Sequence, residues 1–259
     1  MKKWGSIRTS LPPLVFFASL IILWEILSHT IQVPAYILPA PSVIGRSLAS
    51  NASLLIHHSK VTLTAVAGGL ALAISAAFLL ALGMDRWKAL KQALYPVLVV
   101  SQAVPIFALA PLMMIWFGVG LLPKVLIVAL VCFFPLAVNL VEGLSQVDPE
   151  AMNLMKIMRA DRLMIMKSVQ LPTAMPYFFS GLKIAATYSV LGAIIGEWLG
   201  ARAGLGIYML RAMNSFRTGD VFASIVVVIL LSLALFKIVE ACSWLIMPWK
   251  KDTSNYYEE

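Results

Sequence analysis

The chain has 259 residues, of which 61% are hydrophobic and 12% charged, with a formal net charge of +8 and a mean hydropathy of +0.90. A soluble domain carries about a quarter charged residues, so this composition excludes a soluble globular fold. Several uncharged runs exceed the roughly 20 residues that a helix needs to cross a bilayer, and the chain reads as a polytopic α-helical membrane protein. The positive charge would suggest nucleic acid in a soluble protein, but here Lys and Arg concentrate in alternate loops, the signature of membrane topology. No nucleic-acid partner is expected. Cys132 and Cys242 lie in different apolar runs without CxxC spacing, which argues for free thiols and against a disulfide framework or a metal site.

In chain order, residues 1–10 form a basic N-terminus with Lys2, Lys3 and Arg8. The apolar run that follows, Leu11–Ser28, lacks a small-x-small cleavage site and is expected to be a retained first span. Pro34, Pro39 and Pro41 then break the chain, and Ser42–Leu55 suits a short surface helix. Val61–Met84 is an uncharged run rich in small residues, suited to close helix packing. A charged loop (Asp85, Arg86, Lys88, Lys91) leads to a third span at 92–115, interrupted by Pro105 and Pro111 and closed by the Gly-rich turn FGVGLLP. Val125–Val141 is the fourth span, Pro176–Leu199 the fifth and Val221–Ser243 the sixth, with a loop at 200–220 and a polar tail at 248–259. No internal repeat is visible. Six spans put both termini on one side. The segments on that side hold twelve Lys and Arg against six (Arg46, Lys60, Lys124, Arg202, Arg211, Arg217) on the other, so both termini are expected in the cytoplasm. Residues 11–247 thus form one six-span membrane domain, embedded in lipid, in the cytoplasmic membrane.

The segment between spans four and five is the most charged interval in the chain, and this topology makes it cytoplasmic. Asp148 is a helix N-cap, Pro149 suits the first helical position, and Glu150 lies in the first turn, where the helix dipole favours an anion. Ala151, Leu154, Met155 and Met158 follow the i, i+3, i+4, i+7 spacing of one apolar stripe, with Asn153, Lys156 and Arg159 opposite. Asp161 is placed to cap a second short helix, which Pro172 should end. Two short capped helices with exposed Met and Leu suit a plug for a soluble partner; the competing reading is an amphipathic helix lying on the membrane.

Leu171-Pro172, Pro176, Gly181-Leu182-Lys183-Ile184-Ala185, Pro105–Gly120, Phe133-Phe134-Pro135 and Gly204-Leu205-Gly206 together resemble the permease subunit of a bacterial ABC importer, of the nitrate/sulfonate/taurine type. The resemblance runs from about Pro39 to Phe222. It departs at the loop, where that family carries Glu-Ala-Ala and a Gly four residues on. Here those positions fall on Asn153, Leu154, Met155 and Arg159. A left-handed turn at Arg159 would cost a non-Gly residue roughly 1–2 kcal/mol, so the turn either keeps φ negative or carries strain. The resemblance implies an all-α, type I importer-like fold of six spans with a coupling loop at 145–172, contacting an ATPase through Asp148, Pro149, Glu150, Ala151, Leu154, Met155, Met158, Arg159 and Asp161. It also implies a permease homodimer, an external substrate-binding protein and a small solute as cargo. Pro105–Asn139 is most similar to members that import a thiamine-precursor pyrimidine; sulfonate, taurine and nitrate stay open.

The chain carries no GxxxxGK[ST] loop, so ATP and Mg would be held by the partner, and no cofactor is expected on this subunit. No Ser/His/Asp, HExxH or paired-carboxylate arrangement suggests catalysis, and adjacent His57 and His58 lack further ligands at metal spacing. An ion-driven carrier would be expected to show a repeat or mid-membrane carboxylates. Glu25, Glu142, Lys183 and Glu197 instead fall near span ends, where anchoring is their expected role, and Lys237 and Glu240 are spaced to pair. Ser101, Gln102, Pro105, Asn139, Tyr188 and Ser189 lie near mid-span, and for these both pathway lining and interhelical hydrogen bonding stand.

Overall fold

The structure is a computed structural model; it describes residues 5–30, 34 and 36–249, with side-chain surroundings from Val15 onward. The described residues fold into helices: α1 (Gly5–Thr30), α2 (Pro41–Ser50), α3 (Ala52–Arg86), α4 (Lys88–Ser101), α5 (Ile106–Phe117), α6 (Leu121–Ser145), α7 (Pro149–Ile157), α8 (Arg162–Ile165), α9 (Leu171–Trp198), α10 (Leu205–Asn214) and α11 (Thr218–Ile246). Four stretches are long and apolar enough to cross a membrane: α3, α6, the run Arg162–Trp198 and α11. The pair α4–α5, bent by 103°, counts as a fifth if it is one broken span. The sixth expected crossing coincides with α1, but only its Val15–Thr30 part has described side chains, and that part is shorter than a span. Lys2, Lys3 and the tail from Lys250 lie outside the described residues.

The centre is a stack of α3, α6 and α9, with α3 and α6 parallel and α9 antiparallel to α6, held by small residues at the contacts. At Gly181 of α9 an added Cβ would lie 2.6 Å from the Pro135 carbonyl oxygen and 3.0 Å from Asn139 Cβ of α6, so only a bare Cα fits there. Ala65, Ala73, Ala77, Ala137, Ala185 and Ala193 are likewise buried along these helices. Apolar side chains gain nothing by leaving lipid tails, so the stack depends on close backbone approach, which small residues permit. α11 packs on α9, and α1 meets the rest through Trp24 on Phe222, 5.9 Å between rings, and through Glu25, which accepts the Ser42 N–H at 3.0 Å.

Four expectations need correction. The third span is not one interrupted helix. Pro105 is the N-cap of α5, with φ −70 and ψ 114, and a residue preceding proline avoids the α region, so the chain turns sharply at Gln102–Pro105. Pro111 stays inside α5. The surface helix ends at Ser50, and the helix expected from Val61 begins at Ala52. The stretch expected as a loop after span five contains α10, whose Leu205, Tyr208 and Ala212 are buried at helical spacing. Finally, Pro172 ends no helix: Met166–Gln170 is a π turn leading straight into α9, and Pro172 lies just past it, inside the continuous run Arg162–Trp198.

The candidate coupling segment and the uncovered face of α9

The segment between α6 and α9 is built by its caps. Asp148 accepts the Glu150 N–H at 2.8 Å and Asp161 accepts the Met164 N–H at 2.8 Å, so both capping expectations hold. α7 ends in a Schellman motif: Ala160 N–H reaches the Met155 carbonyl at 3.0 Å and Arg159 N–H the Lys156 carbonyl at 3.0 Å. Arg159 occupies the left-handed position of that motif with φ 53, so of the two alternatives the strained one holds. Arg159→Gly is therefore expected to relieve up to ~1 kcal/mol and slow amide exchange at Met158–Ala160 about threefold to fivefold. Faster exchange would mean that the arginine stem stabilises the turn.

No residue of α7 or α8 is buried. Leu154 (58% exposed), Ile157 (79%) and Met158 (67%) form one apolar face, extended by exposed Leu163 and Met164, while Ala151 and Met155 are half-buried. The outward stripe is thus rotated toward Ile157, which the sequence reading missed although it stands at i+3 from Leu154. Pro149, Glu150 and Arg159 line the rest of the segment. Both of its flanks are tied to the α3–α4 turn: Lys91 Nζ donates to Ser145 Oγ at 2.6 Å and Gln170 Nε2 to Asp85 Oδ1 at 3.0 Å.

The mid-span candidates divide between two places. Tyr188 is half exposed and continues an uncovered stripe of α9 with Ile184 and Leu191, and Trp198 at its end stacks on Phe107 of α5 at 6.4 Å. Gln102 and Pro105 lie exposed in the α4–α5 turn, and half-buried Ser101 donates to Leu98 O at 2.8 Å. Ser189 points the other way: it is fully buried and donates to Ala186 O at 2.7 Å. Asn139 is half-buried beside Gly181 at the α6–α9 contact, and its Nδ2 donates to Pro135 O of its own helix at 2.7 Å.

The charged groups differ more from expectation. Lys183 pairs with Glu240 of α11 at 3.8 Å, and Glu240 also meets Lys237 at 2.6 Å, the expected i, i+3 pair. Glu142 accepts from Tyr95 OH at 3.2 Å. Glu197 is fully buried at the end of α9, where one carboxylate oxygen accepts from Thr62 Oγ1 at 2.8 Å and the other from Gly206 N–H at 2.7 Å. Thr62 Oγ1 in turn accepts the Leu205 N–H at 2.9 Å, and His58 Nδ1 accepts the Gly204 N–H at 2.9 Å. These side chains satisfy the donors at the start of α10, which no cap of its own provides for. Beside them Asp220 accepts from Ser47 Oγ and Asn51 Nδ2 and pairs with Arg217 at 3.2 Å, fastening α2 to α11.

Residues 69–243 match the model of the binding-protein-dependent transport system inner membrane component. The chain belongs to this family. The permease is 37% identical to the formylaminopyrimidine transport permease protein ThiX of Halalkalibacterium halodurans, over 93% of its own length and 97% of that relative. It is 33% identical to the riboflavin transport system permease protein RibX of Chloroflexus aurantiacus, covering 89% and 87%, and 25% identical to the taurine transport system permease protein TauC of Escherichia coli, covering 89% and 86%. A chain of the crystal structure of an amino acid ABC transporter with histidines superposes with a TM-score of 0.60 at 16% identity, covering 78% of the permease and 96% of that chain; this likeness shows the fold alone. The permease is thus a multi-pass ABC importer subunit of the nitrate/sulfonate/taurine-related group, as the sequence motifs implied.

Proposed function

We propose that two copies of this permease form the pathway of an importer whose α7–α8 segment docks on a separate ATPase, while the end carrying α2 and α10 faces an external binding protein. The observation that carries the docking is the unburied apolar face Leu154–Ile157–Met158 on a doubly capped helix whose flanks are bonded to the α3–α4 turn. A pull on α7 would pass through Ser145 and Gln170 to four spans at once. The ATP and Mg chemistry belongs to the ATPase. Both termini and α7 would lie in the cytoplasm, in keeping with the positive-inside count. The uncovered stripe of α9, Ile184, Tyr188 and Leu191, with Gln102 and Pro105 beside it, supplies the surface on which a second copy and the solute meet.

The cargo is a thiamine-precursor pyrimidine of the formylaminopyrimidine kind, supported by the relative at 37% identity; the taurine and sulfonate permeases among the relatives support the competing cargo class. Proteoliposomes holding permease, ATPase and binding protein should take up formylaminopyrimidine with ATP and leave taurine outside. Uptake of taurine with no pyrimidine uptake would contradict the assignment.

A further inference from the structure

At the α10 end, a cavity of about 370 Å³ opens between α5, the start of α6 and the turn joining α9 to α10. Its walls include Val61, Met114, Val119 and Gly196, and two cations, Lys124 and Arg202, which come from different elements. The volume falls in the range of small-molecule sites, and apolar walls with a few placed charges are their usual make-up. Lys124 is half-buried, yet neither it nor Arg202 forms an ion pair among the described residues.

The carboxylate beside the cavity wall is Glu197, which follows the lining residue Gly196. Both Glu197 oxygens are already engaged, by Thr62 and Gly206, and the carboxylate lies outside ion-pair distance of Lys124. The ammonium donors are therefore left for an acceptor from elsewhere. Arg202 is held in place by its backbone. The turn that carries it is tied by Ala201 N–H to Glu197 O at 3.3 Å and by Gly204 N–H to His58 at 2.9 Å, and the Arg202 carbonyl accepts from Arg211 at 3.4 Å. A half-buried ammonium and an exposed guanidinium bordering one apolar cavity suit a compact anion, because an oxyanion accepts charge-assisted hydrogen bonds from both.

We infer that this cavity binds the oxyanion group of a small ligand, a sulfonate or a phosphate, between Lys124 and Arg202. The site goes beyond the proposed transport role and needs neither ATPase nor cargo to be measured. A dissolved solute and a phospholipid headgroup share this chemistry. The test uses the full chain in dodecyl maltoside, which carries no phosphate, titrated by calorimetry with methanesulfonate and separately with a short-chain phosphatidylglycerol. Saturable one-to-one binding is expected, weakened at least tenfold in Arg202→Gln and in Lys124→Gln. A methanesulfonate response identifies the dissolved source, and a phosphatidylglycerol response alone identifies the headgroup. Arg202 is exposed, so its variant keeps the test intact if Lys124→Gln fails to fold. No saturable binding of either probe, or binding unchanged in both variants, would overturn the site.

Discussion

Gly204→Ala is expected to lower the apparent Tm of the detergent-purified permease by about 10 °C, on the order of 4 kcal/mol. Gly204 has φ +132, a conformation that side chains rarely adopt, and its added Cβ would collide with the Glu197 carboxyl group. The carboxyl would have to leave Thr62 Oγ1 and the Gly206 N–H, and a buried carboxylate that loses its donors is among the costliest defects a fold can carry. Gly118→Ala provides the comparison. Gly118 also has positive φ, 76, with ψ −171, but nothing lies within 4 Å of its Cβ position, so only backbone strain of about 2 kcal/mol and about 5 °C is expected. Equal shifts for the two variants would show that the Glu197 cluster contributes little to holding α10.

The largest functional effect is expected from Leu154→Asp combined with Met158→Asp. Both side chains are exposed in the isolated subunit, so the variant should insert and fold with a Tm near that of the wild type. A docked partner would have to bury two carboxylates where it met apolar surface. The loss of affinity should exceed ~3 kcal/mol, more than a hundredfold. Co-purification of the ATPase should disappear, and transport with it. An ATPase that still co-purifies with the double variant would remove the apolar face from the coupling surface.

Much of the molecule was legible before its structure. Periodicity and caps marked α7 and α8, because Asp148, Pro149 and Asp161 act locally within one turn of chain. The long apolar runs marked α3, α6, α9 and α11, since the cost of exposing backbone to lipid leaves a helix as the available form. The 103° break was half legible. Pro105 signalled an interruption, but whether a proline kinks or ends a helix depends on what packs around it, and Pro111 and Pro135 remain inside theirs. Tertiary partnerships were not legible. Glu197 stands 135 residues from Thr62, and Lys183 meets Glu240 on another helix, so nothing in local spacing reports either pair. Glu197 looked like an anchor at a span end because it is one by position; its burial comes from α3 and α10 closing over it. Asn139 differs: its amide is taken by the carbonyl of Pro135, four residues back on the same helix, a local contact that helical spacing allows.

The most direct test of the central claim is cross-linking in native membranes. Cys242 is exposed and would first be replaced by serine, while Cys132 is buried and can stay. A single cysteine is then placed at Ile157, on the tip of α7, or at Phe216, exposed at the turn between α10 and α11. With a short bifunctional maleimide, Ile157→Cys should yield a cross-linked species containing the ATPase, and Phe216→Cys should not. Capture of the ATPase from Phe216, with none from Ile157, would invert the orientation and move coupling to the α10 end.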